Sequence, residues 1–154
     1  MKTYLAAVAV AAALAQPADA TTFPTLTTIY VASGVFDDGS DAFTGFATAV
    51  HCSNVSGQAA QIRFLILGSA GTVEADHTFT PVPHAQTVTA STHDTWFVLE
   101  GPLNSGAVTQ GVVNVESTQS GVFCTAMIVE AVPGRLYGIP LHMVRLNPHP
   151  GAVE

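Results

Sequence analysis

Basic side chains are almost absent from this chain. Four Lys and Arg residues stand against eleven Asp and Glu residues, which gives a formal net charge of −7. Lys2 is the only lysine, and Arg63, Arg135 and Arg145 are far apart along the sequence. A surface that binds nucleic acid or an anionic membrane needs clustered Lys or Arg. The composition therefore predicts no nucleic-acid partner and disfavours adhesion to a membrane surface.

Long apolar runs are lacking too, except near the N-terminus. Lys2 precedes an uninterrupted apolar run at 5–15, and Ala18-Asp19-Ala20 then supplies the small-x-small pattern that signal peptidase cleaves. A membrane-spanning helix needs about 20 apolar residues, which this run does not reach. We therefore predict a cleavable signal peptide at 1–20, one β-sandwich domain at 21–154, no stable membrane insertion, and export to the bacterial periplasm or the extracellular space.

Helical periodicity is missing from the rest of the chain, where no apolar stripe with a 3.6-residue period persists for ten residues. Apolar alternation and β-branched runs recur instead, separated by Gly, Pro, Asn and Ser. Pro140 cannot donate a ladder hydrogen bond, so the last strand should lie at an edge or carry a bulge. Short strands at this spacing predict an all-β fold, an Ig-like antiparallel β-sandwich. The predicted strands are 26–35, 43–53, 60–67, 72–80, 85–91, 94–100, 109–117, 121–130 and 136–146.

Cysteine is scarce, with only Cys52 and Cys124 and no Cys-x-x-Cys pair for redox chemistry. In an exported protein two cysteines predict one disulfide. They fall on the second and the penultimate predicted strands, which is where immunoglobulin-like domains place their inter-sheet bridge. Phe64 would then replace the buried tryptophan of such domains, and Val122 stands where their tyrosine corner would be. The sequence thus predicts an Ig-like architecture with one inter-sheet disulfide, without membership of the immunoglobulin family.

Metal-binding patterns are equally sparse. No His-x-x-x-His or His-x-His spacing occurs. His142 and Met143 are soft ligands, but neighbours on a strand point to opposite faces. The acidic segment 37–41 could offer oxygen ligands to Ca²⁺, yet it lacks the later glutamate of an EF-hand, so a hairpin turn is favoured. No metal and no other cofactor is therefore expected, and a periplasmic copper- or zinc-binding protein is the alternative. It would use some of the six histidines, His51, His77, His84, His93, His142 and His149.

No catalytic constellation stands out either. Ser91, His93 and Asp94 contain the residue types of a hydrolase triad, but they are near neighbours in sequence, and no Gly-x-Ser-x-Gly elbow occurs. The glutamates that might form a glycosidase pair are scattered, at Glu74, Glu100, Glu116 and Glu130. We therefore predict that the protein is not an enzyme and keep a small secreted hydrolase as the second alternative.

Two local motifs remain. Asn54-Val55-Ser56 matches the N-glycosylation pattern, which would be fortuitous in a bacterial protein. Adjacent Trp96 and Phe97 could face a ligand or a sugar, although a strand would more often place one ring in the core and the other at its rim.

Four segments resemble a set of small exported bacterial proteins, each a signal peptide followed by one β-domain with no assigned function. The segments are VASGVFDDG (31–39), GFATAVHCSN (45–54), IRFLILGSAGTV (62–73) and LHMVRLNP (141–148). The resemblance implies export and a sandwich fold, and it transfers no catalytic or binding residue. The leading hypothesis is a non-catalytic extracytoplasmic module that acts by binding, or as a structural surface component, with a protein or carbohydrate partner.

Overall fold

The computed structural model describes residues 23–135 and 137–146, so the predicted signal peptide at 1–20 lies outside the described residues. Strands form all the regular structure of this part of the chain, and none of its segments is a helix long and apolar enough to cross a membrane. The all-β prediction is confirmed. The strands are β1 (Thr27–Asp37), β2 (Phe46–Asn54), β3 (Ala60–Leu67), β4 (Val73–Val82), β5 (Thr87–Ser91), β6 (Glu100–Pro102), β7 (Val108–Ser117), β8 (Val122–Glu130), β9 (Gly138–Leu141) and β10 (Met143–Arg145).

The strands form two five-stranded sheets, in the orders β10-β1-β7-β3-β4 and β6-β5-β2-β8-β9, which we call the first and the second sheet. All neighbours are antiparallel except β5 and β6, which run parallel. Alternate side chains of each sheet pack into one core, as β3 shows by burying Ile62, Phe64 and Ile66 completely. Phe64 packs edge-on against Phe79 at 5.8 Å between ring centroids. The sandwich prediction is confirmed.

The disulfide between Cys52 and Cys124 is confirmed, but its expected position between the sheets is corrected. Cys52 on β2 lies directly opposite Cys124 on β8, and these strands are neighbours in the second sheet. The two Cα atoms are 4.2 Å apart, the close approach typical of a non-hydrogen-bonded antiparallel pair. The bridge therefore fixes the register of one ladder, with both cysteines turned toward the core.

The predicted last strand, 136–146, divides into two strands that belong to different sheets. β9 borders the second sheet and β10 borders the first, with His142 between them. Pro140 lies opposite Met127 of β8 on this border strand, as its missing N–H predicted. The segment 138–145 therefore supplies an edge strand to each of the two sheets, on the same side of the sandwich.

The predicted strand 94–100 is wrong. Residues 92–99 form an irregular loop, and only Glu100–Pro102 pair, as the short parallel strand β6. The apolar, β-forming composition of the segment favoured a strand, but side-chain contacts to distant residues hold it in a different shape.

Candidate functional site

The loop at 92–99, which we call the aromatic loop, covers the outer face of the second sheet. Ala49 of β2 is completely buried although it faces away from the core, since its neighbour Val50 faces into it. The loop starts against β2, where Thr92 N–H donates to the carbonyl oxygen of Thr48 and Thr92 Oγ1 accepts from Thr48 N–H, both at 3.0 Å. This face of the sheet is therefore covered by the chain itself.

His93 anchors the beginning of the aromatic loop in the protein interior. Its Nδ1 lies 2.7 Å from a carboxylate oxygen of Asp37, and its Nε2 lies 3.0 Å from the carbonyl oxygen of Thr44. The other Asp37 oxygen accepts from Gly39 N–H at 2.7 Å. The imidazole therefore lies between a carboxyl oxygen and a carbonyl oxygen, and each of its nitrogens has a hydrogen-bond partner. His93 and Asp37 form a buried ion pair that joins the aromatic loop to the turn after β1.

Glu100 anchors the other end of the loop. One of its carboxylate oxygens accepts from the Ser91 hydroxyl, from Thr95 N–H at 2.9 Å and from the Thr95 hydroxyl at 2.5 Å. Leu99, just before it, has a positive φ of 55°, a backbone conformation that costs a bulky residue about 1 kcal/mol. The loop is therefore held in a strained shape by charged and polar contacts at both ends.

Between these anchors the loop presents Trp96 and Phe97, whose rings lie 4.4 Å apart with a tilt of 31°. Trp96 Nε1–H points to the carbonyl oxygen of Glu130 at 3.4 Å, and Phe97 rests edge-on against His51 at 4.5 Å between ring centroids. Both aromatic side chains are partly exposed, so the expectation that one would enter the core is wrong.

A cleft of about 170 Å³ opens beside these rings on the outer face of the second sheet. We call it the outer cleft; its lining is formed by Trp96, Phe97, Met127, Val129, Tyr137 and Gly138. No charged side chain lines it. An apolar cavity of roughly 150 Å³ is large enough to bind benzene, so the outer cleft has room for one ring or one branched aliphatic group.

A second cleft lies at the same border of the second sheet but on its opposite face, the face that packs against the core. This inner cleft, of about 330 Å³, is lined by Phe46, Ile128, Tyr137, Gly138 and Ile139. Tyr137 and Gly138 line both clefts, and Tyr137 is 73% exposed. An apolar surface therefore extends around the border of the second sheet, from the aromatic loop to β9.

His51 lies beside the outer cleft, beneath Phe97. Its Nδ1 pairs with the Thr89 hydroxyl at 2.9 Å. Burial lowers the pKa of His51 below its ordinary value, and the nearby negative charge of Glu100 opposes this shift in part. The neutral imidazole is thus the form that the folded protein favours.

We expect this burial to make the protein less stable in mild acid. Because the pKa of His51 is lowered on folding, the unfolded chain takes up the proton first, and the free energy of unfolding falls as the pH drops through the ordinary histidine range near 6.5. Urea titrations at a series of pH values from 8 to 5 measure this slope. His51→Gln should flatten it, and His84→Gln is the control at an exposed histidine. If the slope is unchanged in His51→Gln, the loss of stability in acid does not arise from His51.

The structure separates the triad residue types. Ser91 bonds to Glu100 on the outer face of the second sheet, while His93 is buried against Asp37. Asp94 contributes its backbone, since its carbonyl oxygen accepts from Phe43 N–H at 2.9 Å. All three therefore serve to shape the aromatic loop.

The acidic segment 37–41 begins the connection from β1 to β2, which lie in different sheets, so the expected hairpin turn is corrected to a link between the sheets. Asp38 accepts Ser40 N–H at 3.1 Å and Phe46 N–H at 3.0 Å. Burial raises the pKa of Asp38, but hydrogen bonds from the Ser40 side chain and from these two N–H groups outweigh it and lower the pKa. Asp37, Asp38 and His93 are the one acidic–histidine group in the described residues whose ligand atoms lie within 4.8 Å of one another. Their oxygens already accept hydrogen bonds within the turn, which accounts for the grouping without a cation.

The histidines of the described residues lie in separate places. His142 is exposed, whereas its neighbour Met143 packs against the core, so this pair points in opposite directions as expected. His77 packs edge-on against Phe79 at 4.6 Å, and His84 pairs with the Ser56 carbonyl oxygen. His149 lies outside the described residues.

Asn54 of the glycosylation motif is completely buried. Its amide donates to the carbonyl oxygens of Gln58 and Val82, both at 2.8 Å, and its Oδ1 accepts from the N–H and the hydroxyl of Ser56. The motif is a buried Asx turn, and no glycan can be attached to this amide in the folded protein.

Of the residues that line the two clefts, Trp96 and Phe97 were the ones that the sequence indicated as possible ligand contacts. Phe46, Tyr137 and Ile139 are separated from it along the chain, and no local pattern links them. No protein-family model, no curated protein and no solved structure matches the chain.

Proposed function

We propose that the protein is a non-catalytic, exported binding module, and that the outer cleft is its binding element. One observation carries the proposal. A buried ion pair, a carboxylate oxygen that accepts three hydrogen bonds, and Leu99 in a strained backbone conformation together hold two aromatic rings at the surface. Strained segments held by their surroundings occur preferentially at functional sites. Export is supported by the signal-like N-terminus and by the disulfide.

The chemistry of the cleft favours an apolar group of the partner over a sugar ring. Its lining is apolar or aromatic throughout, and a carbohydrate site would need polar groups to satisfy the hydroxyls of the sugar. Val98 at the tip of the aromatic loop is 84% exposed, which extends the apolar surface beyond the cleft. A side chain or other hydrophobic group of a partner is therefore the expected occupant.

A non-catalytic role agrees with the surroundings of the polar residues. Ser91 and His93 are buried and already bonded, and neither of them lines the outer or the inner cleft. A general base must lie within reach of a substrate proton, so neither residue is placed to act on a group bound in these clefts.

Trp96 is the single tryptophan of the chain, so its fluorescence reports directly on the outer cleft. We expect cyclohexanol to change the emission of Trp96 in a saturable titration, because this ring buries apolar surface in the cleft. Methyl glucoside, a ring of similar size with several hydroxyls, should leave the emission unchanged.

Tyr137→Ser removes an exposed wall of the cleft and should weaken cyclohexanol binding several-fold, with little effect on stability. Val144→Ser is the matched control, because Val144 is an exposed apolar residue of the first sheet. Emission that stays constant in cyclohexanol, or a titration identical in Tyr137→Ser, would refute the cleft as the binding element.

A further inference from the structure

The β9 border of the second sheet differs from the other sheet borders in its charge. β4 carries Glu74 and Asp76, β10 carries Arg145, and β6 carries Glu100. β9 has the sequence Gly-Ile-Pro-Leu and no charged residue, and its Ile139 is 67% exposed. Proteins protect strand edges with charged side chains, with proline or by keeping the edge strand short. β9 is short and contains Pro140 but carries no charge, so Gly138 is the position of this edge that remains open to strand pairing.

Among the residues that the structure describes, no strand pairs with the side of β9 that faces away from β8, where Gly138 offers its backbone groups. Glu130 N–H donates to the carbonyl oxygen of Tyr137 at 3.1 Å, which makes these two residues a hydrogen-bonded pair. Such pairs alternate with non-hydrogen-bonded ones along an antiparallel ladder, so the next pair, Val129 with Gly138, does not exchange bonds. The N–H and C=O of Gly138 therefore point away from β8.

Pro140 repeats this arrangement two residues further on. It lies opposite Met127, again at a non-hydrogen-bonded position, so its carbonyl oxygen also points to the free side. Its ring replaces the N–H that would have pointed there. Pairing along this edge is thus strongest at Gly138 and stops at Pro140.

The two clefts lie on opposite faces of the sheet at this position, and Gly138 lines both. Consecutive residues of a strand point to opposite faces. A strand added beside Gly138 would therefore place one side chain in the outer cleft and the next in the inner cleft. Backbone pairing with alternate side-chain pockets is the way in which sheet edges bind extended peptides.

We propose that the β9 edge binds an extended, apolar segment of a partner protein by strand addition at Gly138, with two consecutive side chains in the outer and the inner cleft. This proposal rests on the proposed function and names its partner class. A second copy of β9 does not satisfy the site. Gly138 and Pro140 are the residues of β9 on the outer face. Gly138 has no side chain for the outer cleft, and Pro140 has no N–H to donate to the carbonyl oxygen of Gly138.

The probe is the peptide acetyl-Lys-Thr-Phe-Leu-Thr-Lys-amide, titrated against the full chain and followed by Trp96 fluorescence, since the peptide contains no tryptophan. Two further peptides carry an N-methyl group on Phe or on Leu. Amides of consecutive residues point to opposite sides of a strand, so one N-methyl group blocks the bond to Gly138 and the other does not. We expect one methylated peptide to bind about tenfold more weakly than the other, as the loss of one backbone bond implies.

Ile139→Lys places a charge on the edge and should abolish peptide binding. Val73→Lys is the matched control, because Val73 is 59% exposed at the start of the β4 edge. Equal binding of all three peptides would overturn strand addition. So would peptides that fail to bind while cyclohexanol still changes the Trp96 emission, and that result leaves the proposed function intact. Concentration-dependent dimerisation that Ile139→Lys abolishes, without peptide binding, would assign the edge to a second copy and overturn the proposal.

Discussion

Removal of the Cys52–Cys124 disulfide is expected to lower the free energy of unfolding by about 4 kcal/mol on the chain-entropy model, because it closes a long loop in the unfolded chain. The sequence separation of the two cysteines is 72 residues, which places this bridge toward the upper end of the usual range. The double variant Cys52→Ala/Cys124→Ala measures the effect in urea titrations against the oxidised wild type. An unfolding free energy equal to that of the wild type would contradict the expectation.

The bond itself has a separate test. Mass spectrometry of a non-reduced digest should find the two cysteine peptides linked, and alkylation of the native protein should label neither thiol. Cys52 is completely buried, so reductant should reach the bridge only when the second sheet opens. Two alkylatable thiols in native protein would refute the disulfide.

Asp37→Ala is expected to cost about 1–3 kcal/mol of stability, because it leaves the buried His93 Nδ1 without its hydrogen-bond partner. It also removes the acceptor of Gly39 N–H. Urea titrations followed by circular dichroism measure the loss of global stability. Trp96 emission should shift to longer wavelength as the aromatic loop becomes hydrated.

Asp37→Asn separates hydrogen bonding from charge at the same position. Its amide oxygen can still accept from Gly39 N–H, and its amide nitrogen can donate to a neutral His93 that keeps its bond to Thr44. We expect a much smaller loss than in Asp37→Ala. Asp41→Ala is the control for an exposed carboxylate in the same turn. A loss in Asp41→Ala as large as in Asp37→Ala would show that the buried ion pair does not stabilise the loop.

The Asp37 experiments also bear on function, because the ion pair positions the cleft. If the aromatic loop loosens in Asp37→Ala, cyclohexanol binding should weaken even though Asp37 does not line the cleft. If cyclohexanol still binds with unchanged affinity when Trp96 is hydrated and mobile, binding in the cleft does not depend on the shape of the loop.

Local periodicity was sufficient for most of the strands. β3 illustrates why, since its alternation of buried and half-buried residues follows directly from the period of two that a strand imposes. Pro140 was predictable in the same way, because the lack of an N–H restricts its position in any sheet. The same reasoning failed for the aromatic loop, which it predicted to be a strand. Its segment Trp-Phe-Val-Leu has strand composition, but Glu100, Asp37 and Glu130 hold it by contacts that no local pattern contains.

The sequence by itself determined that the described chain is an all-β sandwich with one disulfide, because strand periodicity is local and two cysteines permit one pairing. Only the tertiary structure decided that the bridge lies within one sheet. The order of strands along the chain is the same for either arrangement, and ladder pairing alone distinguishes them. The tertiary structure also decided the clefts: Phe46, Trp96 and Tyr137 meet at one border because β2, β8 and β9 pair side by side and the aromatic loop folds over them.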